Sequence, residues 1–204
     1  FAHLADLFGY NHIEIPPEEE DRLSEGNYGA SILYNTIISL NPDVLLVDLL
    51  WFPLSHFIND LPCKKIFLCH YVRDDFFRVP LGDQTLRFRP GDYHCLLAIE
   101  PFRNDLPFDE INPIVIRNRN EILSRDQALM KLNITNEGKN CLYAFNGNPG
   151  DFERNREKYS YLESERYTII RSTNYDGGLF PAVDYFNAFD LVICSGGYNQ
   201  YWEA

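Results

Sequence analysis

Residues 185–204 constrain the fold of this chain more than any other segment. The apolar run Leu191–Cys194 is short and β-branched enough to form a buried parallel strand. The glycine-containing residues 195–197 cannot continue that strand, and Asn199 is placed to cap a helix whose first turn holds Glu203. The segment therefore predicts a strand, a glycine turn and a helix N-terminus. Free N–H groups and the helix dipole at such a turn favour an anionic or hydroxyl-rich ligand.

The composition favours a globular chain that binds a small molecule. The 204 residues are 45% hydrophobic and 15% aromatic, which is sufficient for one large or two small domains. A formal net charge of −12 argues against a nucleic-acid partner, because binding phosphates requires clustered Lys and Arg. No apolar run reaches the roughly 18 residues of a membrane span, so we expect no transmembrane segment.

Neither the cysteines nor the acidic run of this sequence predicts a disulfide or a metal site. The five cysteines are scattered singly at Cys63, Cys69, Cys95, Cys141 and Cys194. An odd, scattered set predicts reduced thiols and a reducing compartment, which we expect to be the cytoplasm. The acidic run 18–21 is expected to be a solvated loop, because carboxylates adjacent in sequence repel one another. We expect no metal and no other cofactor.

Apolar runs alternate with helical patterns along the first half of the chain. Strands are predicted at His12–Ile15, Val44–Val47, Lys65–Cys69, Tyr93–Ile99 and Asn112–Arg117. Helices are predicted over Tyr28–Leu40 and Leu54–Asp60. Strands that alternate with helices at this pitch imply parallel βαβ units with right-handed crossovers.

A second series of strands and helices follows a polar connection at residues 118–120. A capping-box pattern, Ser124–Gln127, predicts a helix that continues through Leu132. Further elements are predicted as a strand at Asn140–Phe145, a glycine loop at 146–151, a helix at Glu153–Leu162 and a strand at Tyr167–Ile170. The glycine loop lacks the lysine spacing of a P-loop, which argues against a nucleoside triphosphatase.

Two segments resemble a known family. Residues 189–204, FDLVICSGGYNQYWEA, resemble a signature in the C-terminal domain of GT-B glycosyltransferases: an aromatic residue or Ala, then Asp, four apolar residues, a glycine-rich turn and Glu-Ala. Residues 41–48, NPDVLLVD, resemble the Pro-Asp-apolar-Asp strand in the N-terminal domain of the same family. A weaker similarity to this family extends over nearly the whole chain. The members that the chain resembles include bacterial UDP-N-acetylglucosamine transferases and predicted glycosyltransferases.

The resemblance implies an α/β fold with two Rossmann-like domains of the GT-B type. We expect an acceptor-side domain over residues 1–117 that lacks its first strand. A donor-binding domain is expected over residues 118–204, without its C-terminal elements. The sequence begins without Met and stops within the first turn of its last predicted helix, so we expect both ends to be incomplete.

The resemblance also implies a function, which is metal-independent transfer of a sugar from a nucleotide-diphosphate sugar, expected to be UDP-linked, to an unknown acceptor. In that family the glycine turn contacts the donor diphosphate or sugar. The Glu at the position of Glu203 binds the donor ribose, and the loop that holds Phe180 contacts the nucleobase. The donor-binding residues implied here are Gly147, Asn148, Gly150, Phe180, Gly196, Gly197, Tyr198, Asn199 and Glu203.

The loop 70–78 is the predicted acceptor side, because it follows a strand at the edge where open α/β sheets bind ligands. Its candidates are His70, which can move protons near neutral pH, Arg73, which can grip an anion, and Asp74. No catalytic base is assigned. Many GT-B enzymes carry the base in the loop after their first N-terminal strand, and this sequence is expected to lack that strand. A nucleotide-sugar hydrolase, an epimerase and a non-catalytic nucleotide-sugar-binding protein of the same fold are alternative functions.

Overall fold

The computed structural model describes residues 5–6, 8–81, 84–101, 105–135, 138–145, 148–173 and 178–203. The chain divides into two units, Phe1–Asn112 and Pro113–Ala204. Each unit combines a parallel sheet with helices, so the structure is mixed α/β as predicted. The division falls after residue 112, whereas the sequence predicted it after residue 117.

The first unit is built on a parallel sheet with the strand order β1-β2-β5-β6. Its regular elements are α1 (Ile32–Leu40), β1 (Val44–Asp48), β2 (Lys64–Cys69), β3 (Arg78–Leu81), β4 (Gln84–Arg87), β5 (Cys95–Ala98) and β6 (Asp109–Glu110). Strands β3 and β4 form a separate antiparallel pair. The 3₁₀ turns are Glu20–Leu23, Tyr28–Ala30, Phe52–Leu54, Ile58–Asp60, Asp74–Phe77 and Pro90–Asp92.

An aromatic core covers one face of this sheet. Val47, Phe67 and Leu96 lie side by side in the strand register, and all three are buried. The Phe67 ring packs against Phe88 at 4.7 Å and Tyr93 at 5.3 Å between centroids. Burial of these rings holds the three strands together, and because the strands are parallel, their carboxyl ends lie at one edge.

Glu18, from the acidic run, stabilises the start of α1. Its carboxylate accepts hydrogen bonds from Ser31 Oγ at 2.8 Å and from the N–H groups of Ile32 and Leu33 at 2.8 and 2.9 Å. Burial raises the pKa of Glu18, but these hydrogen bonds outweigh burial and lower the pKa overall. The expectation of a solvated loop is wrong for Glu18, because helix N-terminal N–H groups require acceptors.

Two other predictions for the first unit are wrong. The predicted helix Leu54–Asp60 is replaced by two 3₁₀ turns, and the buried Trp51, Leu54 and Phe57 recur at the three-residue spacing of a 3₁₀ helix. The predicted strand His12–Ile15 is irregular. An apolar alternation over so few residues does not form a strand without a neighbouring strand to pair with.

The second unit contains a parallel sheet with the strand order β8-β7-β9. Its elements are α2 (Arg125–Leu132), β7 (Lys139–Phe145), α3 (Pro149–Lys158), α4 (Tyr161–Ser164), β8 (Tyr167–Thr173), a 3₁₀ segment (Ala182–Ala188), β9 (Leu191–Cys194) and α5 (Tyr198–Glu203). The predicted helix Glu153–Leu162 is therefore two helices, α3 and α4. The predicted strand Asn112–Arg117 is irregular.

The core of the second unit lies between the sheet and α2. Leu142 and Ala144 of β7 pack against Ala128 and Leu129 of α2. The capping box predicted for α2 is confirmed: Ser124 Oγ accepts from the Gln127 N–H, and Gln127 Oε1 accepts from the Ser124 N–H. No helix within the described ranges has the length and apolar character needed to cross a bilayer.

Replacement of Ser124 by Ala is expected to reduce the free energy of unfolding by about 1 kcal/mol, because the N-terminal N–H groups of α2 lose an acceptor. Urea unfolding followed by circular dichroism measures the loss. Ser160→Ala is the control, since Ser160 precedes α4 without capping it through its side chain. An equal loss in both variants would contradict the assignment.

Candidate functional site

The strand order of the second unit places two turns at neighbouring positions on one edge of the sheet. Strand β7 lies between β8 and β9 and is parallel to both. The chain leaves β7 towards β8 and returns past β7 to form β9, so the winding direction reverses between β7 and β9. Open parallel sheets bind ligands outside the carboxyl ends of their strands at such a reversal. The described residues that follow β7, from Asn148 onward, and those that follow β9, from Ser195 onward, are therefore the candidate site.

Helix α3 begins at Pro149, four residues after the last residue of β7. Asn148 is the N-cap, and its side chain accepts a hydrogen bond from the Gly150 N–H at 2.8 Å. Residues 149–151 of the predicted glycine loop are helical, because proline at the first helical position already has a suitable φ. Gly147 lies outside the described residues. The structure thus places Asn148 and Gly150 at a helix N-terminus beside the reversal point.

The turn after β9 is open on its outer side. Gly196 has a φ of 71°, in the left-handed region that favours glycine, and a Cβ added at Gly196 or Gly197 would meet no atom of the described residues within 4 Å, chain neighbours aside. Helix α5 begins at Tyr198, and the Gly197 carbonyl accepts from the Tyr201 N–H at 2.9 Å. The prediction that Asn199 caps the helix is wrong, because Asn199 is already inside it.

Gln200 fixes this turn, and sequence reasoning missed it. Its Oε1 accepts from the N–H of Ser195 at 3.2 Å and also from the Ser195 hydroxyl. Its Nε2 donates to the Ala144 carbonyl of β7 at 3.3 Å. One side chain therefore ties the turn after β9 to the neighbouring strand. The one sequence signal for these hydrogen bonds is that Gln200 lies in the first turn of the helix predicted after the glycines, close in the chain to Ser195.

Glu203 lies at the other end of α5, in a cleft of about 580 Å³. The cleft is lined by Val115, Arg117, Arg119, Ile122, Val183, Phe186, Asn187, Trp202 and Glu203. The Glu203 Oε1 accepts from the Ile116 N–H at 3.2 Å. Burial raises the pKa of Glu203 more than this hydrogen bond and the charge of Arg117 lower it.

The cleft combines aromatic, cationic and carboxylate groups, and its volume falls in the range of small-molecule sites. Trp202 and Phe186 offer aromatic surface, while Arg119 adds positive charge. Arg117 is engaged by Asp184, whose Oδ1 lies 2.8 Å from its Nε. Phe180 is half-exposed and does not line this cleft, whereas Phe186 does. Sequence reasoning missed Phe186 and the arginines because they come from separate segments.

The first unit brings a histidine and a carboxylate together at the carboxyl edge of its sheet. His70 follows β2, and its Nε2 lies 3.3 Å from Oδ1 of Asp48, the last residue of β1. Glu100, beyond β5, accepts from the Tyr71 N–H at the same edge. The His70 side chain is 26% exposed and that of Asp48 63% exposed, so both are accessible. A histidine beside a carboxylate can accept and release protons near neutral pH.

The other two acceptor-side candidates have different surroundings. Arg73 forms an exposed ion pair with Asp75 at 3.0 Å. Asp74 begins the 3₁₀ turn Asp74–Phe77. The described residues contain no group of three or more His, Cys, Asp or Glu side chains arranged to hold a metal ion. Of the three acceptor-side candidates, His70 is the one that contacts a residue at the end of a neighbouring strand, Asp48.

No protein-family model, curated protein or solved structure matches this chain. Membership of the GT-B glycosyltransferases stays a prediction, which depends on residues 41–48 and 189–204. The observations that bear on function are therefore the arrangements of side chains at the carboxyl edge of each unit's sheet and in the cleft around Glu203.

Substitution of Glu203 by Gln is expected to alter how stability depends on pH. The pKa of Glu203 is raised above its ordinary 4.5, so the folded chain holds this proton more tightly than the unfolded chain. The stability that protonated Glu203 contributes is present below about pH 4.5 and is lost as the pH rises through the raised pKa of Glu203. The variant should therefore gain stability relative to the native protein between pH 4 and pH 7.

Thermal melts across this pH range measure the difference. Glu165→Gln, which removes an exposed carboxylate from the same unit, controls for the loss of one negative charge. A Glu203→Gln variant that loses stability relative to the native protein as the pH rises would contradict the assignment.

Proposed function

We propose that the second unit binds a nucleotide-diphosphate sugar and that the protein transfers the sugar to an acceptor hydroxyl. The observation that carries the proposal is the position of Glu203, a carboxylate in a cleft, at the end of the short helix that follows an open glycine turn. A nucleotide-diphosphate sugar offers a diol for the carboxylate and a diphosphate for the turn. In this proposal the two units correspond to the acceptor-side and donor-binding domains of a GT-B enzyme.

The diphosphate is bound by the turns at the carboxyl edge of the second sheet. The N-terminus of α3 places the positive end of a ten-residue helix dipole at this edge. Gly196 and Gly197 allow close approach of phosphate oxygens, because no described residue beyond their chain neighbours lies within 4 Å of where their side chains would be. Both features stabilise the negative charge that develops on the leaving diphosphate.

The nucleoside is bound in the cleft. The Glu203 carboxylate accepts hydrogen bonds from the ribose hydroxyls, which are the donors that it can recognise. Trp202 and Phe186 provide aromatic surface for the base, expected to be uracil.

Transfer requires that a proton leave the acceptor hydroxyl. As the acceptor oxygen bonds to the anomeric carbon, the bond from that carbon to the diphosphate oxygen breaks, and the nucleoside diphosphate leaves with the electron pair. We assign the role of the base that accepts this proton to His70, and Asp48 stabilises the imidazolium that forms. This pair lies at the ligand-binding edge of the first unit's sheet.

Nucleotide binding is expected to raise the melting temperature of the 204-residue chain. UDP, GDP and their sugars are compared at millimolar concentration, where a hundredfold excess over Kd stabilises by about 2.7 kcal/mol. Glu203→Ala should abolish the increase, whereas Glu165→Ala should retain it. If none of these nucleotides shifts the melting temperature of the native protein, the proposal is wrong.

Replacement of His70 by Gln is expected to slow UDP release from UDP-sugars by about 10²–10⁴-fold, because proton transfer loses its base. The assay contains a panel of hydroxyl acceptors, and a parallel reaction without acceptor identifies a hydrolase. Nucleotide-induced melting shifts should be unchanged. His12→Gln is the matched control, since His12 Nδ1 also lies near an aspartate, 3.4 Å from Asp6 Oδ1, but His12 does not follow a strand of the sheet. Equal rates in both variants would exclude His70 as the base.

A further inference from the structure

Residues 113–117, called here the strap, are held by side chains of α5 and not by strand pairing. The strap is irregular and begins the second unit. Its Ile114 N–H donates to the Tyr198 hydroxyl at 2.7 Å, and its Ile116 N–H donates to Glu203 Oε1 at 3.2 Å. The two donors are two residues apart, the spacing at which an extended chain presents groups on one side.

Apolar burial contributes little to holding the strap. Ile114 is 51% exposed, Val115 38% and Ile116 39%. At its C-terminal end, Arg117 is fixed by Asp184 and also donates from Nη1 to the Ile116 carbonyl at 3.1 Å. The strap is thus anchored at residue 117, and the bonds to Tyr198 and Glu203 hold the part before it.

The strap also forms a wall of the cleft. Val115, between the two hydrogen-bonded residues, lines the same cleft as Glu203 and Trp202. A ligand in the cleft therefore meets the strap and the Glu203 carboxylate together. A vicinal diol binds a carboxylate through both oxygens, so it competes with the Ile116 N–H for Oε1.

We infer that Tyr198 and Glu203 form a latch on the strap, which opens when a nucleoside diphosphate takes the Glu203 carboxylate. The identity of the ligand rests on the proposed function, whereas the latch itself rests on the contacts of Ile114 and Ile116. Because coupling is reciprocal, the latch lowers nucleotide affinity by the same factor by which nucleotide weakens the latch.

Amide hydrogen exchange on the 204-residue chain tests the latch without ligand. Tyr198→Phe should speed exchange at Ile114, and Glu203→Met should speed it at Ile116, each by roughly tenfold as one hydrogen bond is lost. Glu203→Gln keeps an acceptor oxygen and should leave Ile116 close to the native rate. Tyr201→Phe and Glu165→Met are the matched controls, and unchanged exchange in both latch variants would overturn the inference.

Addition of UDP tests the coupling. The expected result is faster exchange at Ile116 in the native protein, approaching the rate of Glu203→Met, together with a higher melting temperature. A higher melting temperature with unchanged or slower exchange at Ile116 would overturn the latch and leave the proposed function standing. If UDP, GDP and their sugars all fail to shift the melting temperature, the proposed function and the coupling fail together.

Discussion

The paired contact between Asn140 and Asp190, at the start of β7 and β9, sets the geometry of the second unit. The Asp190 N–H donates to the Asn140 carbonyl, and the Asp190 carboxylate accepts from the Asn140 N–H, each at 2.8 Å. Arg125 brings α2 to the same carboxylate. The contact sets the register in which Cys141 lies beside Leu191, and a slip of one residue would turn every side chain of β9 to the opposite face. Because this register is maintained, the glycine turn after β9 lies at the same sheet edge as the end of β7.

Two carboxylates of the second unit show how local surroundings separate a structural role from the binding role proposed for Glu203. The hydrogen bond from Asn140 outweighs burial and lowers the pKa of Asp190, so the charged form is stabilised where it joins the strands. For Glu203 burial is the stronger influence, and its pKa is raised. A carboxylate that is incompletely compensated within a cleft is typical of a functional site. The hydrogen bond from the strap offsets part of the cost of burying the Glu203 charge, and a ligand with two hydroxyls would offset more of that cost.

Much of the sheet architecture was predictable from the sequence, because continuous apolar runs are typical of buried parallel strands. Strands β1, β2, β7 and β9 lie within a residue of their predicted bounds, and β5 is only shorter than predicted. The strap was predicted as a strand because Ile114, Val115 and Ile116 resemble one by composition. Its N–H groups instead found side-chain acceptors on α5, which is more than eighty residues away in sequence. Similarly, the partners of Glu18 and His70 could not be predicted, since hydrogen bonds between distant segments leave no local pattern.

The sequence by itself determined the α/β class, the capping of α2 and the presence of a glycine turn after β9. Each of these depends on interactions between residues close in the chain, namely apolar periodicity, helix-end hydrogen bonds and the backbone freedom of glycine. Only the tertiary structure decided that Glu203 faces a cleft with Trp202 and Phe186, that the strap forms a wall of this cleft, and that Asp48 meets His70. The physical reason is that strand order and packing bring these groups together from distant segments.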